Sequence, residues 1–200
     1  MTKTTLALVA TMTAANAASV SILGNLTTPT LYQSGDSIGG VEVTVTSLGQ
    51  GEHEWFTFDT GTRLPHDKDL LVNAGPAIAI SEKGRFDDEK DGGAITFSFD
   101  APISCFSFRA TDVEAGLGLV FYHGDYTPPS LSAMHVTGDA EVSDVIRYEF
   151  DTPVTSIDAV FGGSGAIVEP CYTPATSIPE PTTLGLLGLA AIPLLRRTRK

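Results

Sequence analysis

A strand–corner–strand pattern occurs twice in this sequence, and it narrows the possible folds more than any other feature. Ile95-Thr96-Phe97-Ser98-Phe99-Asp100-Ala101-Pro102-Ile103-Ser104 is echoed by Ile146-Arg147-Tyr148-Glu149-Phe150-Asp151-Thr152-Pro153-Val154-Thr155. In each copy, apolar residues alternate with polar ones, as in a half-buried strand, until Asp-x-Pro interrupts them. The aspartate can cap a turn with its side chain. The proline presets φ and lacks an N–H at a point where no ladder needs one. Phe106 and Phe108 follow the first corner at the parity that Ile157 and Ala159 hold after the second, so one face stays apolar in both. A duplicated strand–corner–strand unit of this kind is what a two-sheet antiparallel sandwich would produce.

The rest of the chain agrees. Val41, Val43 and Val45 alternate with Glu42, Thr44 and Thr46, and Trp55, Phe56 and Phe58 form a short aromatic strand. Ala77 to Ile80, Leu117 to Tyr122, Val145 to Phe150 and Val154 to Phe161 bring the expected total to roughly eight to ten strands. No helix-length window carries a 3.6-residue period outside the two ends of the chain. The fold class is therefore all-β, an antiparallel sandwich. Trp55 reads as core. The long polar connections Gly61 to Gly75, Ser81 to Gly93 and His123 to Leu131 hold most residues able to build a site, as loops usually do.

Both ends read as signals for export. Lys3, the apolar stretch Leu6 to Met12 and the A-x-A site Ala15-Asn16-Ala17 make a secretory signal peptide over 1–17, cleaved after Ala17. The last 23 residues read IPEPTTLGLLGLAAIPLLRRTRK: Pro179-Glu180-Pro181, an apolar run from Leu184 to Leu195, then Arg196, Arg197, Arg199 and Lys200. An apolar run followed by cations holds its end on the cytoplasmic side. It falls short of the roughly 20 residues of a stable span, and Pro193 would disturb its last turn. A transient membrane segment suits this tail better than a permanent anchor. The domain is expected over 18–169, a Pro/Thr-rich linker over 170–181, and the membrane-like segment with its basic tail over 182–200.

In order, spacing and position, this tail resembles the PEP-CTERM sorting signal of Gram-negative bacteria. The resemblance covers about a tenth of the chain. It implies an exosortase as partner, cleavage near Pro179-Glu180-Pro181, a transient inner-membrane intermediate, and delivery to the cell surface or extracellular matrix. Exosortase-sorted proteins with F-D-x-P-[IV]-[ST] segments in a jelly-roll-like domain look similar, and the same resemblance implies a structural or adhesive role within exopolysaccharide or biofilm.

Charge sharpens the picture. Removing both ends leaves seven basic residues against all 24 acidic ones, a net charge of −17. Such a surface repels nucleic acid and anionic lipid and favours divalent cations. Two cysteines, Cys105 and Cys171, lie within the exported part, where an oxidising compartment favours a bridge. If unstrained, that bridge would add roughly 4 kcal/mol in the chain-entropy picture.

Candidate chemistry concentrates in the loops. Asp87-Asp88-Glu89-Lys90-Asp91-Gly92-Gly93 offers the hard oxygen ligands that Ca²⁺ prefers, and Asp112 and Glu114 follow a strand that could bring them to the same edge. The candidate Ca²⁺ set is thus Asp87, Asp88, Asp91, Asp112 and Glu114, although the spacing is not that of an EF-hand. A solvated acidic turn is the plainer reading of the same residues. Trp55, Tyr122 and Tyr126 are aromatics near polar loop residues on which a sugar face can stack, with Tyr126, between Asp125 and Thr127-Pro128-Pro129, the most exposed of them. This makes a Ca²⁺-dependent carbohydrate-binding module the alternative function. Catalytic residues are expected to be none. His53, His66, His123 and His135 are scattered, and Gly162-Gly163-Ser164-Gly165-Ala166 departs from the G-x-S-x-G elbow at its last position. A polysaccharide-active hydrolase ranks third, because a carboxylate pair at the right separation cannot be read from sequence.

Overall fold

A computed structural model describes residues 18–24, 28–49, 53–67, 70–123, 130–131, 137 and 141–175. Its strands are β1 (Val20–Ser21), β2 (Thr30–Gln33), β3 (Asp36–Ile38), β4 (Val41–Ser47), β5 (Glu54–Asp59) and β6 (Pro76–Ile80). They continue as β7 (Gly93–Thr111), β8 (Leu117–Tyr122), β9 (Ser130–Leu131), β10 (Ile146–Phe161) and β11 (Ala166–Pro174). Among the described residues there is no helix, and no helix is long and apolar enough to cross a membrane. Every pairing is antiparallel.

The repeated motif builds the architecture. The 19-residue β7 and 16-residue β10 each run through an Asp-x-Pro corner, and their mutual register shifts between Glu149 and Val154. Before its corner, β7 pairs with β4 and with the second half of β10; after it, with β11 and the first half of β10. One continuous sheet thus folds into two layers. The first contains β3, β4, the start of β7, the end of β10, β8 and β9. The second contains β2, β5, β6, β11, the end of β7 and the start of β10.

Val43, Phe97, Ile157 and Leu119 from the first layer meet Trp55, Ile78, Phe108 and Ile167 from the second in one buried core. Trp55 belongs to that core. It is fully buried, stacks on Tyr32 with ring centroids 4.2 Å apart, and donates from Nε1 to the Gln33 carbonyl. Alternation explains the first layer, where β4 and β8 bury every second residue. It does not explain β5, whose first five residues are all buried. The outward Phe56 and Phe58 lie in a second cluster with Ala77, Ala79, Ala166 and Val168, covered by Leu64, Leu70 and Phe86 from the connections on either side of β6.

Two expectations need correction. The linker does not begin at 170. Pro170 to Pro174 continue β11, and the Ala175 N–H donates to the Pro102 carbonyl, so the polypeptide stays in the sheet through its prolines. The prolines are tolerated because β11 carries a register shift between Val168 and Cys171 and another between Thr173 and Pro174, places where ladder donors are not required. The Cys105–Cys171 bridge is absent: both thiols are free. Cys171 stands opposite Ser107 and Cys105 opposite Thr173, so the two are diagonal neighbours on paired strands. Diagonal positions lie about 7–8 Å apart, beyond the roughly 6.8 Å Cα separation that a disulfide spans. The signal peptide, with Ala15 and Ala17, and the tail, with Pro179, Glu180, Pro181, Arg196 and Arg197, lie outside the described residues, as does Tyr126.

Candidate functional site

The structure gathers polar groups at two places on the second layer. The first lies where the two covering loops meet. Carboxylate oxygens of Asp67, Asp87 and Asp88 all come within 4.8 Å of one another, with Asp67 and Asp88 buried. Local hydrogen bonds fix each residue. The Asp67 Oδ1 accepts from the Leu70 N–H, and Asp88 Oδ2 accepts from the Gly165 N–H at the entry to β11. A bridge between Ser81 and Asp88, with the Ser81 hydroxyl donating to the Arg85 carbonyl, shapes the second loop. Clustered carboxylates repel one another in a low-dielectric setting. Their chemistry is that of a hard-cation site, supplying three of the six to eight oxygens Ca²⁺ takes.

Of the expected ligand set, Asp87 and Asp88 come together here. Asp91 is exposed on the far side of the turn, and Asp112 and Glu114 sit in the connection after β7; none of the three joins the cluster. Glu89 turns the other way, with its carboxylate accepting from the Ser47 hydroxyl at 2.7 Å. The residue that sequence reading missed is Asp67. It lies in a different loop, and only the fold of Leu64 and Leu70 onto Phe56 and Phe58 brings it across.

The second place is a groove on the outward face of the second layer, beyond the area the loops cover. It has a volume of about 430 Å³ and is lined by Ser21, Pro76, Ser107, Arg109, Glu169 and Cys171, among others. Register accounts for the set. Ser107 and Arg109 alternate with the buried Phe106, Phe108 and Ala110, so they face outward. Cys171 lies opposite Ser107 on β11, and Ser21 opposite Cys171 on β1. Val168 pairs with Arg109 and Cys171 with Ser107, so β11 spends three steps where β7 spends two. Glu169 is in that bulge with φ of +51°, and bulges re-aim side chains in this way.

The electrostatics favour binding over nucleophilic chemistry. Burial, followed by the nearby Glu169 charge, raises the Cys171 thiol pKa above its ordinary value, and burial does the same for Cys105. A thiol held protonated is a poor nucleophile.

No protein-family model matches the chain, and no curated protein matches it. Similar solved structures include a lysine-to-alanine variant of CBM29-2, a family 29 carbohydrate binding module. It is 13% identical, with a TM-score of 0.43, covering 78% of this chain and 92% of that one. A family 32 carbohydrate binding module from C. perfringens NanJ, in complex with galactose, is 11% identical with a TM-score of 0.39, covering 78% and 98%.

Proposed function

We propose that this chain is an exported, non-catalytic adhesion module of an extracellular polysaccharide matrix. In this reading a PEP-CTERM-type tail delivers it, and it binds sugar chains on the outward face of its second layer. The observation that carries the reading is the groove: a solvent-open depression of about 430 Å³, within the range of ligand sites, lined by the Ser21 and Ser107 hydroxyls, Arg109 and Glu169. Export has separate support in the way the ends meet. Val20 of the first strand pairs with Tyr172 of the last. The residues next to both sequence signals therefore sit side by side. Ca²⁺ enters as a fastener of the two covering loops through Asp67, Asp87 and Asp88.

Replacing Pro179, Glu180 and Pro181 with alanine tests the sorting half in a Gram-negative host that carries an exosortase. The unsubstituted protein is expected in the matrix fraction in shortened form, and the variant at full length in the inner-membrane fraction. Unchanged secretion of the variant would overturn the sorting reading. Enzymatic digestion of the matrix polysaccharide should release the mature protein; retention after complete digestion counts against adhesion to sugar.

A further inference from the structure

Resting on the reading of the domain as a polysaccharide binder, we infer that Arg109 and Glu169 together hold a neutral sugar through adjacent hydroxyls. The inference starts from a donor with nothing to bond among the described residues. Arg109 Nε is buried and has no hydrogen-bond partner among the described residues. Its guanidinium has no carboxylate within salt-bridge distance there either, although Lys83, Lys90 and Arg147 each pair with a glutamate. Among the described residues Arg63 and Arg85 make no ion pair either, but both are exposed to water, whereas the Arg109 Nε is buried. An unmade buried donor is costly, and such groups are rare enough to call for an explanation.

The other half of the pair is held in place at some cost. Glu169 adopts the left-handed region that non-glycine residues avoid. Its carboxylate settles over Gly75, where a Cβ would lie only 2.7 Å from Oε1. Gly75 itself has φ of +107°, so the backbone on both sides of this contact is in a strained or glycine-dependent form. Strain of this kind collects at ligand sites. Here it aims a carboxylate into the groove that already contains the unmatched arginine.

The donor inventory selects the ligand. Guanidinium only donates and a carboxylate only accepts, whereas a hydroxyl does both. Adjacent hydroxyls on a sugar ring can accept from Arg109 and donate to Glu169 at the same time. The Ser21 and Ser107 hydroxyls extend the same surface, and Pro76 and Val145 give the ring's C–H face an apolar wall. A uronic acid would satisfy Arg109 but meet Glu169 and the overall negative charge. An amino sugar would reverse that conflict at Arg109.

Isothermal titration of the purified protein with xylo-, manno-, cello- and galacto-oligosaccharides, alongside oligogalacturonate, tests the assignment. At least one neutral series is expected to bind. Arg109→Ala and Glu169→Gln should each weaken that binding about tenfold or more, and Glu42→Gln, on the opposite layer, should leave it within about twofold. Thermal melts check that the variants fold. Should either fail to fold, backbone amide shifts of the unsubstituted protein replace it: changes centred on Ser21, Ser107 and Cys171 support the site, and changes elsewhere overturn it. Preferential binding of oligogalacturonate overturns the neutral-sugar assignment. Neutral binding that survives both substitutions overturns this site while leaving polysaccharide adhesion intact, and no binding to any series overturns both.

Discussion

The two layers of the sandwich present outward faces that solve the same problem differently. On the first layer, Thr96 Oγ1 donates to Asp158 Oδ1 at 2.7 Å and Tyr122 Oη donates to Oδ2 at 2.8 Å. One carboxylate thereby ties β7, β10 and β8 together on a surface that faces water. On the second layer, half of the outward face is roofed by loops over a second apolar cluster. The other half has a groove lined by Arg109, whose buried Nε has no partner among the described residues, and by Glu169 in a left-handed bulge. A face with its hydrogen bonds made within the protein has little to offer a ligand. The face that leaves such bonds unmade is the one on which the proposed binding would be gained.

The roof supplies the largest expected contrast. Phe58→Ala removes a fully buried ring from the second cluster and should cost about 3–5 kcal/mol by denaturant unfolding. Val160→Ala, on the outward face of the first layer and 41% exposed, should change stability by no more than about 0.5 kcal/mol. Equal losses would mean that the second face is no more buried than the first, and the distinction would fail.

Ca²⁺ sharpens the same contrast. If the ion fastens the loops through Asp67, Asp87 and Asp88, saturating it at about 100 times its dissociation constant should stabilise the fold by about 2.7 kcal/mol. Asp88→Asn keeps a side-chain oxygen that can accept from the Gly165 N–H, but removes a charge the cation needs. It should abolish the response of the melting temperature to Ca²⁺ and leave a folded protein. A response of equal size in the variant, or none in the parent, removes the ion from the account.

What sequence revealed and what it hid follow from the range of the forces involved. The Asp-x-Pro corners at 100–102 and 151–153 were legible because alternation and turn chemistry are local, and the layered antiparallel fold follows from them. The acidic trio was legible only as Asp87 and Asp88. Asp67 reaches them through loop packing that depends on Phe56, Phe58, Leu64, Leu70 and Phe86 meeting over the sheet. The groove was hidden for a different reason: Arg109 and Glu169 come to line one groove through a three-against-two register in β11, and register is not written in either strand alone. The cysteines show the same limit. The compartment expected from the sequence favoured a bridge, but two residues of register keep them diagonal.

The smallest effect tests whether the first face is purely structural. Tyr122→Phe deletes the hydroxyl that donates to Asp158 and should destabilise the fold by about 0.5–1.5 kcal/mol at neutral pH. The same hydrogen bond, with burial second, raises the Tyr122 pKa above its ordinary value. A raised pKa in the folded state means that the neutral phenol is the stabilised form. Its contribution is complete below the unfolded value of about 10 and is lost as pH climbs through the folded one. The parent should therefore lose its advantage over Tyr122→Phe above about pH 10. The cysteine thiols, also raised, titrate in both proteins and cancel in the difference. Urea unfolding of the pair at pH 7 and above pH 10 measures the gap directly. Sugar binding by Tyr122→Phe should match the parent at neutral pH, because Asp158 and its donors lie on the layer opposite Arg109. If binding fell with the lost hydroxyl, the two faces would be coupled and the groove would not be acting alone.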